Sequence, residues 1–195
     1  MISQVSFKRI TIEMKKPFRI FLGSSDIYQG FIVRIDTDDG ITGYGEAVPT
    51  PYITGDTLGS IEFELESISS MLKGENISTE GIDERVRRRL RSSRASRAAV
   101  DMAIWDIIGK MADTPVYRLL GGYREKISTS YTVDLVEPSH AVEMARSFLE
   151  QGVKVFKIKM GSGIKEDVER VQRVREVVGD DKMIYVDFNQ AYSAK

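Results

Sequence analysis

The chain has 195 residues, a net charge of −1, 42% hydrophobic and 29% charged residues, and no cysteine. This balance is typical of a folded globular protein, and so small a charge gives no global field to hold the chain on nucleic acid or an anionic membrane. The absence of cysteine excludes disulfides and thiolate metal sites, and it fits a cytoplasmic location. We therefore expect no nucleic-acid partner and no membrane partner. Assembly into a homo-oligomer is a possibility that the composition does not decide.

The first 49 residues have the pattern of β-strands. Residues 5–12 and 31–35 are rich in β-forming side chains, Asp38-Asp39-Gly40 is typical of a turn, and residues 41–48 return as the next strand. A three-stranded antiparallel meander is the economical interpretation. It places a loop near residues 15–29, between the first two strands.

Helical patterns follow the strands. Apolar residues recur at helical spacing over 58–72, over 82–90 and over 100–111, before Thr114-Pro115. Arginines crowd residues 85–97 without interleaved aromatics, which predicts a solvated helical face rather than a nucleic-acid surface. Strands followed by helices predict an α+β domain that ends near Gly121-Gly122.

From residue 123 the pattern changes to alternating strands and helices. We predict strands at residues 127–133, 153–160 and 183–188, and a helix at residues 139–151. A second helix follows the stripe Val168, Val171, Val174 and Val178. Strands that alternate with helices imply parallel pairing and right-handed crossovers.

Two lysines share one face of the second of these strands. Side chains alternate along a strand, so Lys157 and Lys159 lie on one face while residues 156, 158 and 160 form an apolar face for packing. On spacing alone, a solvated strand end explains the pair about as well as a functional site does. In the functional interpretation the two ammonium groups, near a metal, disfavour each other's protonation. The pKa of one lysine would then fall from about 10.4 toward neutrality, where it can accept a proton.

The third strand repeats this pattern with other chemistry. Asp187 and Asn189 share one face, and Val186 and Phe188 take the other. A carboxylate at a strand end offers a hard oxygen ligand that suits Mg²⁺, although taken alone it could equally cap the next helix. The lysine pair one strand earlier favours the ligand interpretation.

These residues resemble the enolase superfamily, in its muconate-lactonizing-enzyme subgroup, and the resemblance covers the whole chain. The motifs that carry it are Gly43-Tyr44-Gly45-Glu46-Ala47, Ala103-Ile104-Trp105-Asp106, Leu119-Leu120-Gly121-Gly122, Lys157-Ile158-Lys159 and Asp187-Phe188-Asn189-Gln190. The resemblance implies an α+β capping domain over residues 1–122. It further implies that residues 123–195 are the start of a (β/α)₈ TIM-type barrel, incomplete after its third strand.

Within the subgroup the chain is most similar to dipeptide epimerases of the L-Ala-D/L-Glu type. The motifs are Ile53-Thr54-Gly55-Asp56, Gly121-Gly122-Tyr123-Arg124 and Tyr131-Thr132-Val133. The resemblance implies that Lys159 removes a proton α to a carboxylate, with Lys157 assisting by its charge. Asp187 would be the first of three carboxylate ligands to Mg²⁺, which stabilises the enediolate. The cap loops near residues 15–29 and 50–56 would cover the barrel mouth, and the expected contacts to a small carboxylate or dipeptide are Ile53, Thr54, Thr132 and Asn189.

The sequence departs from the family pattern in two places. Gly23 aligns with an arginine that binds the substrate carboxylate in Ala-Glu epimerases, although Arg19 lies nearby. The family also takes two further metal ligands from its fourth and fifth strands and an opposing lysine from its sixth, and none of these strands is present in this sequence. One carboxylate does not hold Mg²⁺ well. We therefore expect a fragment or truncated product, inactive alone, or a chain that receives its missing half from another chain.

Other functions stay open at this point. A muconate-type cycloisomerase or an o-succinylbenzoate synthase would use the same residues, so the sequence does not decide the substrate. A non-catalytic remnant or assembly module is an alternative of another class, and it predicts no Mg²⁺ binding. The lysine pair favours the enzyme, because a purely structural strand gains nothing from burying two ammonium groups.

Overall fold

The computed structural model describes residues 1–20, 23–90 and 94–193. The chain divides into two compact units, one formed by Met1–Glu13 with Ile27–Tyr123 and the other by Met14–Asp26 with Arg124–Lys195. The elements in chain order are β1 (Ile2–Ile20), β2 (Gly23–Thr37), β3 (Thr42–Ala47), α1 (Leu58–Leu72), α2 (Thr79–Arg89), α3 (Arg94–Met111), α4 (Val116–Leu119), β4 (Tyr131–Val133), α5 (Pro138–Glu150), β5 (Val155–Lys159), α6 (Ile164–Val178) and β6 (Met183–Asp187).

The predicted three-stranded antiparallel sheet is present, in the order β1-β2-β3. Most of it belongs to the first unit, and Met14–Asp26 belongs to the second. The loop predicted near residues 15–29 is wrong, because β1 and β2 extend through most of that range. Side chains are exposed over residues 11–17 and 23–27. Backbone pairing therefore forms these strand ends without the apolar alternation that a sequence pattern can reveal. Pro17 is tolerated because β1 is an edge strand of the sheet.

Helix α3 packs directly on β3, as its buried apolar stripe predicts. Two glycines of β3 make this close approach: a Cβ added at Gly45 would lie 1.8 Å from the carbonyl oxygen of Ala99, and one added at Gly43 would lie 2.1 Å from that of Ala103. Polar contacts also join the two elements, since the Tyr44 backbone N–H donates to Asp106 Oδ2 at 2.9 Å. The Gly-Tyr-Gly motif is therefore a packing surface for a helix backbone.

Replacing Gly45 with alanine is expected to destabilise the first unit by about 3 kcal/mol. The added methyl group would clash with backbone atoms of α3, which cannot move aside as a flexible side chain could. Urea unfolding followed by the fluorescence of Trp105, which lies on α3, measures the change. Gly59→Ala on α1 is the matched control, since its Cβ would meet nothing within 4 Å. That substitution should raise stability by about 0.5–1 kcal/mol. Equal effects at the two sites would contradict the packing argument.

The other helices of this unit begin at recognisable caps. Thr57 and Ser60 form a reciprocal capping box at the start of α1, and the Ser78 hydroxyl accepts from the Gly81 N–H at the start of α2. The predicted solvated arginine face is confirmed on α2, where exposed arginines pair with nearby carboxylates, such as Arg85 with Glu75 at 3.0 Å. Arg91 lies outside the described residues.

The second unit contains the predicted parallel strands, in the order β4-β5-β6. Its apolar core joins residues of β4, β5, α5 and α6, among them Val133, Ala141, Phe156, Ile158 and Val174. The first strand is shorter than predicted, because β4 begins at Tyr131 and Ile127 is 84% exposed. Tyr131 pairs with Phe156, one residue after the start of β5, so a strand reaching back to Ile127 would have no partner.

The valine stripe predicted for α6 is only partly correct. Val174 and Val178 are buried, but Val168 is 48% exposed, and Asp167 and Arg170 are buried instead. The inward face of α6 is therefore polar in its first half. Among the residues that the structure describes, no helix is long and apolar enough to cross a bilayer.

Candidate active site

Parallel pairing places five polar side chains on one face of the sheet β4-β5-β6. The register aligns Thr132 with Lys157 and Lys157 with Tyr185, and in the next row it aligns Lys159 with Asp187. The opposite face of β5 carries Phe156 and Ile158, both fully buried in the core. The shared face of the two lysines follows from this alternation.

Both lysines contact a single carboxylate oxygen. Asp187 Oδ2 lies 2.8 Å from Lys157 Nζ and 2.9 Å from Lys159 Nζ. Lys159 is only 5% exposed, whereas Lys157 and Asp187 are half-buried. Burying an ammonium group is costly unless it is paired and hydrogen-bonded, so the position of Lys159 depends on these partners.

Asn189 is a second hydrogen-bond partner of Lys159. The Lys159 ammonium donates to Asn189 Oδ1 at 2.8 Å, and the Asn189 backbone N–H donates to Asp187 Oδ1 at 3.0 Å. Asn189 and Gln190 both have left-handed backbones, with φ of 43° and 66°. Non-glycine residues pay a conformational cost there, and such strain clusters at functional sites.

The two ammonium groups change the acidity of Asp187. Hydrogen bonds from Lys157 and then Lys159 hold the pKa of this carboxyl well below its usual range, against the opposing effect of burial. Asp187 is therefore a fully ionised carboxylate at neutral pH. A hard anionic oxygen with this charge suits a divalent cation as well as it suits the lysines.

The depressed pKa predicts a pH dependence of stability. The contribution of Asp187 should be fully present above about pH 4, the unfolded value, and should be lost as the pH falls through the lower folded pKa. We expect Asp187→Asn to destabilise the second unit by about 1 kcal/mol at neutral pH. This gap in unfolding free energy between the wild type and the variant should shrink below about pH 4. Hydrogen exchange of the β5 amides in metal-free buffer measures the gap. A gap independent of pH would contradict the ion-pair assignment.

The other predicted contact residues lie in different parts of the chain. Thr132 is half-buried on the lysine face of the second unit. Ile53 and Thr54 belong to the first unit, in the turn of residues 51–54, where their backbone N–H groups donate to the Thr50 carbonyl at 2.9 Å. Gly23 is the first residue of β2. The side chain of Arg19 lies outside the described residues.

The described residues fit part of a magnesium site. Asp187 supplies one carboxylate. The amide oxygen of Asn189 lies near it, because both groups accept hydrogen bonds from the Lys159 ammonium. Over residues 1–20, 23–90 and 94–193, no three His, Cys, Asp or Glu side chains form a group that could hold a metal ion. Magnesium needs several oxygens in near-octahedral geometry. Within the described residues, Asp187 could therefore serve as one ligand of such a site.

Sequence reasoning missed three residues next to this site. Asp167, Arg170 and Tyr192 form hydrogen bonds among the segments that follow β5 and β6. A signal was present, because Asp167 and Arg170 fall on the same helical face as the buried Val174 and Val178. Charged residues are rarely buried on a helix unless they are paired, so this pattern predicts that Asp167 and Arg170 have polar partners.

Two family models match this chain. The model for "Mandelate racemase / muconate lactonizing enzyme, N-terminal domain" matches residues 4–121, and the model for "Enolase C-terminal domain-like" matches residues 140–195. The N-succinyl-L-Arg/Lys racemase of Bacillus cereus is 35% identical over 98% of this chain and 53% of its own length. The hydrophobic dipeptide epimerase of Enterococcus faecalis is 36% identical over all of this chain and 55% of its own length.

A solved structure gives the same result in three dimensions. The Enterococcus faecalis dipeptide epimerase complexed with Mg and the dipeptide L-Leu-L-Tyr superimposes with a TM-score of 0.94 at 36% identity, covering 98% of this chain and 54% of that one. The chain thus spans about half the length of the relatives it matches. The predicted fold class is confirmed, and the chain belongs to the mandelate racemase/muconate lactonizing enzyme family of the enolase superfamily.

Proposed function

We propose that this chain supplies the capping domain and the first half-site of an isomerase that removes a proton α to a carboxylate, and that this enzyme is a dipeptide epimerase. The single observation that carries the proposal is the buried ammonium group of Lys159, held at 2.9 Å from Asp187 and 2.8 Å from Asn189 at the carboxyl ends of parallel strands. The carboxyl ends of barrel strands are where barrel enzymes place their catalytic groups.

Lys159 is the proposed acid–base residue. Its side chain is nearly excluded from bulk water, so water competes little with a substrate for this group. In its neutral form the amine can accept the α-proton, and as ammonium it can return a proton to the same carbon. Return to the opposite face of that carbon requires a second acid, which in the family comes from a later strand.

Lys157 and Asp187 have supporting roles in this proposal. Lys157 lies two residues before Lys159 on the same face of β5 and keeps a positive charge near the substrate carboxylate. Asp187 is the proposed ligand from this chain to Mg²⁺, together with carboxylates from strands that the longer relatives contain. When bound, Mg²⁺ supplies positive charge that stabilises negative charge developing on the substrate carboxylate. The nearby ammonium groups act in the same direction.

The capping domain is proposed to select the substrate. Residues 1–122 would act as the cap and residues 123–195 as the start of the barrel. Ile53 and Thr54 would contact the side chain of a dipeptide, while Thr132 and Asn189 would contact its polar groups from the barrel side. Ile53 is 59% exposed and offers an apolar contact without rearrangement of the core. Its character favours an apolar substrate side chain over a charged one.

The experiment is a substrate screen with the intact protein, meaning the native polypeptide that contains this chain. Dipeptides with apolar, acidic and basic residues, and N-succinyl amino acids as a second candidate class, are incubated with Mg²⁺. Epimerisation is followed by chiral chromatography. The N-succinyl class is included because the Bacillus cereus relative is a racemase of that class. We expect epimerisation of at least one dipeptide series. Conversion of N-succinyl amino acids alone would overturn the dipeptide assignment, and conversion of neither class would overturn the proposal that the protein is an epimerase or racemase.

A further inference from the structure

One buried guanidinium group joins the segments that follow two of the barrel strands. Arg170 on α6 is fully buried, and its Nε donates to the carbonyl oxygen of Val136, beyond β4, at 2.7 Å. Its Nη2 donates to the Ser162 hydroxyl, beyond β5, at 2.8 Å. Because the guanidinium fork is planar and rigid, these contacts fix the two segments relative to each other.

Asp167, one turn earlier on α6, extends the same network. It is only 2% exposed, and it accepts hydrogen bonds from the Gly161 N–H at 2.7 Å, from the Ser162 N–H at 3.2 Å and from Arg170 Nη1 at 2.6 Å. Burial alone would raise the pKa of this carboxyl, but these donors and the Tyr192 hydroxyl hold it below its ordinary value. Asp167 therefore remains an anion that binds the segment directly after β5.

Tyr192 connects the network to the segment after β6. Its hydroxyl donates to Asp167 Oδ2 at 2.5 Å and accepts from the Gly163 N–H at 3.1 Å. Its ring packs edge-on against Phe188 with centroids 5.6 Å apart, and the Ala191 N–H closes the turn on the Phe188 carbonyl at 2.8 Å. This turn contains Asn189, whose side chain accepts from the Lys159 ammonium.

A gain in fold stability is a weak explanation for this arrangement. A buried ion pair is often no more stabilising than well-packed apolar side chains of the same volume, because desolvation of the charges offsets their attraction. The network instead joins the ends of all three strands on the side where Lys159 and Asp187 lie. Its most direct link to the site is the turn that holds Asn189 in a left-handed conformation.

We propose that Asp167, Arg170 and Tyr192 are positioning residues, which fix the direction of the Lys159 side chain by holding the turn that carries Asn189 against the end of β5. The inference rests on the proposed function of Lys159 as the acid–base residue. None of the three residues touches the reacting atoms. They act through the Asn189 oxygen and through the backbone at the end of β5, where Arg170 Nη1 also lies 3.5 Å from the Lys159 carbonyl oxygen.

The test is Tyr192→Phe in the intact protein, which removes one hydroxyl and keeps the ring contact with Phe188. We expect kcat to fall about tenfold with KM within about twofold, because a small misplacement of the base slows proton transfer more than it weakens binding. The acetylation rate of Lys159 by acetic anhydride, read by mass spectrometry against the exposed Lys154, should rise several-fold. Tyr44→Phe, an equal hydroxyl deletion on the exposed face of β3, should change neither quantity.

The labelling arm separates this inference from the proposed function. If the wild-type protein epimerises no substrate, the proposed function fails, and the Lys159 labelling rate still decides whether the network holds that side chain. Unchanged Lys159 labelling in Tyr192→Phe would overturn the inference, as would a lower kcat without increased labelling. If circular dichroism shows that Tyr192→Phe does not fold, Ser162→Ala, which removes one acceptor of Arg170, provides the same test with the same two readouts.

Discussion

Replacing Lys159 with methionine in the intact protein should slow exchange of the substrate α-proton with deuterated solvent by about 10³-fold or more. The substitution keeps the length and much of the volume of the side chain but removes the only group that the proposal assigns to take this proton. Asp187 keeps Lys157 as a partner at 2.8 Å, so the second unit should remain folded. Exchange is measured by mass spectrometry as a gain of one mass unit in recovered substrate.

The matched control is Lys154→Met. Lys154 is exposed and lies one residue before β5, so it tests the same change of residue type without touching the site. It should exchange the α-proton at the wild-type rate. Exchange retained in Lys159→Met, with Lys154→Met also active, would show that another group is the base on this side of the substrate.

Replacing Asp187 with asparagine should have the second large effect, on metal affinity and turnover together. The substitution removes the negative charge that both lysines share, and it exchanges an anionic ligand for a neutral one that Mg²⁺ binds more weakly. Two ammonium groups without a carboxylate would also repel the metal. We expect Mg²⁺ affinity to fall about 100-fold, by calorimetry, and turnover to fall at least as far at fixed Mg²⁺.

Asp181→Asn is the control for this experiment. Asp181 lies two residues before β6, its carboxylate is exposed, and its partner is the neighbouring Lys182. Its substitution should leave Mg²⁺ affinity and turnover unchanged. Metal affinity that stays at the wild-type level in Asp187→Asn would remove Asp187 from the ligand set, whatever the effect on turnover.

The fold was predictable wherever one face of an element is buried. The apolar stripes of α1 and α3 and the alternation around Phe156 and Ile158 report burial on one side, and burial is what periodicity measures. Residues 11–17 of β1 and residues 23–27 of β2 gave no such signal, because their side chains are exposed and their order depends on backbone pairing. The start of β4 was misplaced because only the register with β5 limits its length.

The sequence allowed the residue types of the candidate site to be predicted, but not all of the hydrogen bonds that join them. Alternation placed Lys157 and Lys159 on one face, and the strand order brought Asp187 beside them. The Asn189 contact depends on a left-handed turn that no local pattern marks, since neither Asn189 nor Gln190 is glycine. The buried Arg170 forms hydrogen bonds to two separate segments as well as to Asp167 on its own helix, and only the assembled structure brings these groups together.

The most direct test of this account is a crystal structure of the intact protein with Mg²⁺ and a dipeptide. It should show an Asp187 carboxylate oxygen bound to the metal and Lys159 Nζ within about 3.5 Å of the α-carbon that epimerises. Lys159 turned toward α5 and α6, or a metal bound without Asp187, would contradict the assignment of this face as the catalytic one.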